Sequence, residues 1–269
     1  MSEGKHISAR YQRQVSLSEI GVEGQLKIQG TSVLVVGVGG LGCPITMALA
    51  TAGIGRLGLV DFDRVDISNL HRQFLFTDNH VGQLKAEVAA TELSAMAPDC
   101  KIEIYAEELT NGLALELFPK YDFIVDATDQ VHIRYLINDA CIILNKPWVY
   151  GAVNGFQGQW AVFNHYKNAG NYRDVFPVPP NPMTMINCEN AGVLSPVPGS
   201  VGLMQAMLVV KNIVEKTAEK TILYTMDYWQ NQAYNIEVVA GQNTQKIELE
   251  TFKNMDYRKM VLGAHYAQK

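Results

Sequence analysis

Short apolar runs alternate along the chain with longer segments whose apolar residues recur at helical spacing. The run TSVLVVG, at 31–37, is uncharged, rich in β-branched residues and closed by glycine, which predicts a strand buried on both faces. In the apolar segment that follows, Pro44 suits an early helical position and Gly53 a left-handed stop. The run at 56–61 completes a βαβ unit of about thirty residues.

The same alternation continues to residue 152. Helices are predicted at 82–97, at 111–118 and around a face made of Ile133, Leu136, Ile137, Ala140 and Cys141, with strands at 101–105, 123–127 and 148–152. Strands that alternate with helices in this way predict an α/β fold, a Rossmann-like, doubly wound and mostly parallel sheet.

Beyond residue 152 the pattern changes to that of antiparallel strands, predicted at 159–163, 222–229 and 233–239. Between them, 201–214 is apolar nearly all round and predicts a buried helix. The stretch 168–198 is rich in Asn, Gly and Pro and predicts a mobile surface crossing. Glycines interrupt the uncharged run at 28–55, and Pro196, Pro198 and Gly199 interrupt that at 190–210, so neither is predicted to span a membrane.

These patterns predict a single domain over 1–269. It divides into an N-terminal helical arm (1–30), a nucleotide-binding core (31–152), a crossover segment with an antiparallel extension (153–239) and a tail (240–269).

Composition narrows the class of protein. With 48% hydrophobic and 18% charged residues, the chain is expected to fold as a globular domain. The net charge of −5 gives no field that attracts nucleic acid or an anionic membrane. Four cysteines without a CxxC pair form neither a disulfide framework nor a zinc knuckle, and the polar N-terminus lacks the apolar stretch of a signal peptide. We therefore expect a cytoplasmic protein.

A glycine-rich turn is the strongest chemical signal in the sequence. Gly37, Gly39, Gly40 and Gly42 match GxGxxG between a predicted strand and a helix, and Asp61 ends the next strand nineteen residues beyond Gly42. Glycines let the backbone approach phosphate, the helix start offers unpaired N–H groups, and the acid can accept from ribose hydroxyls. This arrangement predicts a nucleotide site.

Polar side chains at the carboxyl ends of the predicted strands bear on which nucleotide binds. They are Asp63, Asn69, Arg72 and Gln73 after the second strand, Lys85 on the first turn of the next helix, and Asp129 after the fourth core strand. A triphosphate requires cations and usually Mg²⁺, whereas a dinucleotide pyrophosphate can be held mostly by the helix terminus. The two cations and the carboxylate favour ATP with Mg²⁺ over NAD.

Several longer motifs resemble one family. They are RYQRQ (10–14), the GVGGLG turn, LVDFDRVDISNLHRQ, VGQLK (81–85), DATDQ and NCENAGVLSPVPGSVGLMQA (187–206), within a match that covers roughly 10–239. The sequence thereby resembles the MoeB, ThiF and HesA group of ubiquitin-activating-like adenylyltransferases. The resemblance implies ATP-dependent adenylylation of the C-terminal glycine carboxylate of a small ubiquitin-like, β-grasp sulfur-carrier protein ending in Gly-Gly. Pyrophosphate would be released, and sulfur transfer or thioester formation would follow.

The resemblance also implies roles for individual residues. Gly40 and its neighbours would cradle phosphate, Asp61 would bind ribose, Asn69, Arg72 and Lys85 would surround the triphosphate, and Asp129 would organise Mg²⁺. Arg13 matches an arginine that enters the partner subunit's active site, which implies a homodimer. Cys188 aligns with a cysteine that links covalently to the carrier in some members but not in others, so its participation stays open.

The sequence departs from the family pattern in two places. Asn171 and Asp174 stand where the first of two zinc-binding CxxC pairs belongs, and no cysteine follows Val239, so no structural zinc is expected. Gln130 replaces the asparagine that normally follows Asp129, which puts one minor nucleotide contact in question. Two alternatives remain: an NAD-dependent Rossmann oxidoreductase that uses the same glycine turn, and a non-catalytic, carrier-binding pseudoenzyme.

Overall fold

A computed structural model of the chain describes residues 8–179, 192–215, 220–241 and 247–263. Its strands are β1 (Ser32–Val36), β2 (Arg56–Val60), β3 (Lys101–Tyr105), β4 (Phe123–Asp126), β5 (Trp148–Asn154), β6 (Gln157–Phe163), β7 (Thr221–Asp227) and β8 (Gln232–Val238). They form one sheet in the order β3-β2-β1-β4-β5-β6-β7-β8. Pairing is parallel from β3 to β5 and antiparallel from β5 to β8. The predicted mostly parallel sheet with a C-terminal antiparallel extension is confirmed.

Helices cover both faces of the sheet. They are α1 (Gln12–Val15), α2 (Gly21–Gln29), α3 (Gly42–Ala52), α4 (Lys85–Met96), α5 (Asn111–Leu117), α6 (Val131–Ile143), α7 (Tyr172–Val175), α8 (Pro196–Val214), α9 (Leu249–Asn254) and α10 (Tyr257–Gly263). Gly53 ends α3 in the left-handed conformation at φ 93°, as its place after the apolar run predicts.

The core consists of two layers separated by the sheet. Alternate residues of β1 divide between them: Val33 and Val35 pack with α3, α4 and α8, whereas Leu34 and Val36 pack with α5, α6 and the C-terminal helices. Because side chains of a strand alternate between faces, a strand with helices on both sides must be apolar throughout. This is why the TSVLVVG run carries no polar alternation.

The start of α8 corrects one prediction. Pro196, Pro198 and Gly199 do not interrupt this segment but lie in the helix's first turn, where a missing backbone N–H costs no intrahelical hydrogen bond. The helix is long and apolar enough to cross a membrane by length and composition alone, but half of that window is buried, and buried core helices meet the same criterion. It packs against α3, β5 and β6.

The stretch 168–198 also differs in part from the predicted surface crossing. Asn171 and Tyr172 are buried and begin the short helix α7. The middle of the stretch lies outside the described residues. In the described parts of the tail, two short helices, α9 and α10, return to the core through Phe252 and Tyr257.

Candidate nucleotide-binding site

The glycine turn lies at the point where the chain leaves β1. Gly37 adopts φ 92°, and a Cβ on it would stand 2.8 Å from the carbonyl oxygen of Ala127, so this position requires glycine. Gly39 and Gly40 line a cavity above the turn. Gly42 does not line it. A Cβ on Gly42 would lie 2.1 Å from the Gly37 carbonyl oxygen, so this residue allows the close approach of helix and turn. Its predicted role in nucleotide binding stays a prediction.

Asp61 lies at the carboxyl end of β2 and is 8% exposed. Its Oδ2 accepts a hydrogen bond from the Val38 backbone N–H at 2.7 Å, and its Oδ1 accepts from the Asp63 N–H at 2.8 Å. Burial raises the pKa of Asp61, while the Val38 hydrogen bond and the charge of Lys85 act in the opposite direction. The carboxylate therefore ties the glycine turn to the following loop at the position expected for a ribose contact.

The loop after β2 forms a hydrogen-bonded cluster. Asn69 Oδ1 accepts from Arg72 Nη2 at 3.1 Å and from Gln73 Nε2 at 2.9 Å. Gln73 is buried, and its Oε1 makes no hydrogen bond within the described part of the chain. The Arg72 side chain passes close to Gly40, at 3.6 Å from the position of an added Cβ. The cluster holds a guanidinium beside the glycine turn.

Lys85 is the first residue of α4, and its ammonium Nζ donates to Asp63 Oδ2 at 2.9 Å. The lysine side chain is 7% exposed and the aspartate side chain 52%. A buried ammonium is stable only when it is paired. The Lys85 ammonium group, which is predicted to contact phosphate, is thus held at the cavity by the Asp63 carboxylate.

Asp129 and Gln130 face the same cavity from the carboxyl end of β4. Asp129 is exposed, and the described residues contain no cluster of three His, Cys, Asp or Glu side chains that could bind a metal by themselves. Mg²⁺ commonly uses one or two carboxylates together with phosphate oxygens and water. The accessible Asp129 carboxylate therefore fits a Mg²⁺ ion that arrives with its nucleotide.

One cavity of about 860 Å³ collects most of the residues singled out from the sequence. They are Gly37, Gly39, Gly40, Asp61, Asp63, Asn69, Arg72, Gln73, Lys85, Asp129 and Gln130. Arg13 is exposed on α1 and does not line the cavity of its own chain. Cys188 lies outside the described residues.

The cavity also contains residues that sequence reasoning missed. Glu107 and Glu108 follow β3, and Thr128 and Arg134 flank Asp129. The rule that ligands bind at the carboxyl ends of parallel strands applies to the end of β3 as well as to β2 and β4. It could therefore have indicated the two glutamates. Arg134 lies one turn into α6, where only the three-dimensional structure brings it to the cavity.

The residues at the expected zinc position do not suit zinc. Asn171 and Asp174 form a capping box on α7, with hydrogen bonds of 2.9 and 2.7 Å to Asp174 Oδ2 from the Asn171 backbone N–H and side-chain amide. Asp174 Oδ1 accepts from the Gly241 N–H at 2.8 Å. An amide and a carboxylate held in this way cannot supply the thiolates of a structural zinc site. The absence of zinc stays a prediction.

A doubly wound sheet whose cavity is lined by a glycine turn, a buried acid at the end of β2 and several cationic side chains defines a nucleotide-binding α/β domain. Residues 11–248 match the ThiF family. The chain belongs to that family, as the sequence motifs predict.

Relatives of known name agree with this assignment. The chain is 47% identical over 206 residues to "Adenylyltransferase and sulfurtransferase MOCS3" of Culex quinquefasciatus, covering 77% of this chain and 47% of that protein. It is 48% identical over 206 residues to the protein of the same name from Anopheles gambiae, covering 77% and 46%. The chain thus spans about half the length of the curated relatives it matches.

Solved structures share the fold. A crystal structure of E. coli MccB with MccA-N7isoASN superposes with a TM-score of 0.77 at 22% identity, covering 89% of this chain and 75% of that one. MccB with ATP gives 0.75 at 20% identity, covering 90% and 75%. PaaA gives 0.73 at 20% identity, covering 89% and 78%. At these identities the likeness concerns the fold alone.

Proposed function

We propose that this chain is an ATP-dependent adenylyltransferase that activates the C-terminal glycine carboxylate of a small ubiquitin-like carrier protein. The observation that carries the proposal is the convergence of Arg72, Lys85 and Asp129 on one cavity beside the glycine turn and Asp61. Two cations exceed what a dinucleotide pyrophosphate needs, and this favours a triphosphate over NAD. The family's MOCS3 relatives carry the adenylyltransferase name.

In the proposed reaction, a carboxylate oxygen of the carrier attacks the α-phosphorus of ATP, and the bond to the leaving pyrophosphate breaks. Arg72 and Lys85 would offset the negative charge on the transferred adenylyl group and on the leaving pyrophosphate. The leaving pyrophosphate does not need a proton donor in this step. Asp129 would hold Mg²⁺ together with phosphate oxygens, and that ion would supply further charge neutralisation. Asp61 would fix the ribose.

The carrier is expected to reach the cavity along the antiparallel extension. Asn154 and Gly155, at the end of β5, line the cavity, and β8 at the sheet edge exposes Tyr234 and Ile236. This open apolar surface supports docking of a folded β-grasp partner whose tail enters the site. Sulfur transfer or thioester formation would follow, and a covalent role for Cys188 belongs to this proposal.

A homodimer is part of the same proposal. Arg13 is exposed, and its side chain makes no hydrogen bond or ion pair with the residues that the structure describes. Exposed apolar side chains on α8, namely Leu203, Met204 and Met207, lie on a helix that packs against α2, which in turn contacts α1. An exposed apolar stripe and an exposed, unpaired arginine support contact with a second copy that receives Arg13.

The test is exchange of labelled pyrophosphate into ATP, dependent on Mg²⁺ and on a carrier that ends in Gly-Gly. Exchange without a carrier requirement, or binding of NAD in preference to ATP by calorimetry, would contradict the proposal. Arg13→Ala and Asp129→Ala are each expected to be inactive, and mixing the two should restore roughly a quarter of the wild-type rate through hybrid dimers with one complete site. No recovery on mixing would argue against Arg13 acting across subunits.

A further inference from the structure

A buried carboxylate, that of Asp126, lies three residues before Asp129, the proposed metal ligand. Asp126 is the last residue of β4 and has no exposed surface. Its Oδ1 accepts from both the backbone N–H and the hydroxyl of Thr128, at 2.9 and 2.7 Å. Thr128 lines the nucleotide cavity and immediately precedes Asp129. Asp126 thus fixes the backbone N–H and the side chain of Thr128, the residue directly before Asp129.

Arg134 holds the other side of the same residue. Its Nη2 donates to the Thr128 carbonyl oxygen at 3.0 Å, so the N–H and the C=O of Thr128 are each bonded to a charged side chain. The Arg134 Nε lies 3.5 Å from Asp126 Oδ2, and its guanidinium lies 5.7 Å from the centre of the Tyr150 ring. Charge attraction and the aromatic face together fix the arginine.

These buried polar groups lower the stability of the fold. Gln205 of α8 donates to the Asp126 carbonyl oxygen at 2.7 Å. However, Gln205 Oε1, Asp126 Oδ2 and Arg134 Nε are buried without a hydrogen bond in the part of the chain that the structure describes. Buried charges and unsatisfied polar atoms each cost stability, and an apolar replacement often costs less. Stability alone therefore does not account for two charged groups here, one of which lines the cavity.

We propose that Asp126 and Arg134 are a positioning pair that clamps Thr128 from both sides and so orients the Asp129 carboxylate toward the Mg²⁺ ion that would accompany the nucleotide. The inference rests on the proposed function and extends it to Asp126, which does not line the cavity, and to Arg134, which does. Because a shift of one ångström at a reacting group can cost about a hundredfold in rate, a clamp on the neighbouring peptide has a measurable effect.

The test compares Asp126→Asn, Arg134→Lys and Arg134→Gln with a matched control. Asp126→Asn keeps the side-chain shape but places an amide against Arg134. Arg134→Lys keeps the charge and loses the planar fork that reaches both Thr128 and Asp126. The control is Asp139→Asn, which breaks the pairing of an equally buried carboxylate with Arg173, at residues that do not line the nucleotide cavity.

The first readout is binding of a non-hydrolysable ATP analogue by calorimetry, with Mg²⁺ and with EDTA. The wild-type chain is expected to bind more tightly with Mg²⁺. Asp126→Asn and both Arg134 variants should reduce that advantage about tenfold, as supporting residues around a metal ligand typically do, while affinity in EDTA changes little. Asp139→Asn should keep the advantage. The second readout is the Mg²⁺ concentration for half-maximal pyrophosphate exchange, which should rise in the same variants.

The outcomes separate this inference from the proposed function. If the wild-type chain does not catalyse pyrophosphate exchange, the proposed function is wrong. The calorimetric comparison of nucleotide binding still tests the clamp in that case. If Mg²⁺ increases nucleotide affinity as much in Asp126→Asn as in the wild type, the clamp is rejected. An effect confined to the Arg134 variants also rejects it, because Arg134 would then contact the nucleotide directly. If thermal melting and circular dichroism show that Asp126→Asn is not folded, the Mg²⁺ dependence of nucleotide binding by Arg134→Lys becomes the test of the clamp. A preserved advantage in that variant rejects the clamp.

Discussion

The ammonium group of Lys85 donates to Asp63 Oδ2 at 2.9 Å inside the nucleotide cavity. Asp63 in turn donates its backbone N–H to Asp61 Oδ1, so Lys85, Asp63 and Asp61 form one hydrogen-bonded set. Because Asp63 is largely exposed and Lys85 is not, the lysine is fixed at the cavity wall while its partner remains accessible. Phosphate oxygens entering the cavity would compete with Asp63 for the same ammonium group.

Removing the charge of Lys85 should therefore damage catalysis more than folding. For Lys85→Met we expect kcat/KM for ATP in pyrophosphate exchange to fall about a hundredfold, the usual cost of one lost transition-state contact. Lys101→Met is the control, because Lys101 is also paired with a carboxylate, Glu103, but lies on β3 with a side chain 70% exposed. Equal rates for Lys85→Met and Lys101→Met would remove Lys85 from the reaction.

The two glycines Gly42 and Gly112 should respond in opposite ways to alanine. A Cβ at Gly42 would overlap the Gly37 carbonyl oxygen, so Gly42→Ala should lower the free energy of unfolding by about 3 kcal/mol through overpacking. Gly112 lies in α5 with its nearest neighbouring atom 3.9 Å from an added Cβ. Gly112→Ala should raise stability by about 0.5–1 kcal/mol. Urea unfolding monitored by tryptophan fluorescence measures both, and a neutral Gly42→Ala would refute this packing role.

Local patterns sufficed to predict the strands and the glycine turn. The run TSVLVVG and the stop at Gly53 depend on steric rules that act within a few residues, and the structure follows them. The resemblance to the ThiF family, based on motifs such as DATDQ and VGQLK, is confirmed by the match over residues 11–248.

The errors arose where tertiary contacts decide. Nothing in the local sequence distinguishes a proline that breaks a helix from one in a first turn, and Pro196 and Pro198 were assigned to the wrong class. The contact between Asp126 and Arg134 does not follow from the local sequence, because the two residues are eight positions apart and meet only when α6 packs against β4. Gly42 belongs to the nucleotide-binding motif, and the structure shows that it also allows the helix to approach the turn closely. Motif membership alone does not separate the two roles.

The C-terminal tail should depend on an ionic contact instead of on zinc. Asp139 on α6 accepts from Arg173 Nε and Nη2, at 2.8 and 2.7 Å, and from the Tyr257 hydroxyl on α10 at 2.7 Å. All three residues are largely buried. Breaking a buried pair typically costs 3–5 kcal/mol, so Asp139→Asn should lower the free energy of unfolding by about 3 kcal/mol.

The control for this contact is Glu215→Gln, which breaks an exposed pair with Lys211 and should cost less than about 0.5 kcal/mol. Dialysis against a zinc chelator should leave the wild-type melting temperature unchanged, because Asn171 and Asp174 offer no thiolates. A chelator-dependent fall in melting temperature would contradict the prediction that this chain needs no structural zinc.

The buried Asp126 should give the chain an unusual pH dependence of stability. Burial raises the pKa of Asp126 from 3.8 to about 6, against the lowering effect of the Arg134 charge. Between these values the folded chain holds a proton that the unfolded chain has lost, so this group makes stability fall as pH rises from about 4 to about 6. Asp126→Asn lacks the titration, and the stability of the wild type relative to this variant should fall by roughly 3 kcal/mol over that range.

Asp66 provides the contrast, because hydrogen bonds from Ser68 lower its pKa at an exposed position. Its contribution to stability is present at neutral pH and is lost as the pH falls through the lowered value. Asp66→Asn should therefore give a difference from wild type of opposite sign, and a smaller one since solvent screens the site. The slope due to Asp66 lies below about pH 4, so urea unfolding of the wild type and Asp66→Asn between about pH 2 and 4.5 measures it. The slope due to Asp126 is measured in the wild type and Asp126→Asn at several pH values between about 4 and 7.5. Parallel curves for the wild type and Asp126→Asn would mean that Asp126 stays ionised throughout this range, with Arg134 outweighing the effect of burial.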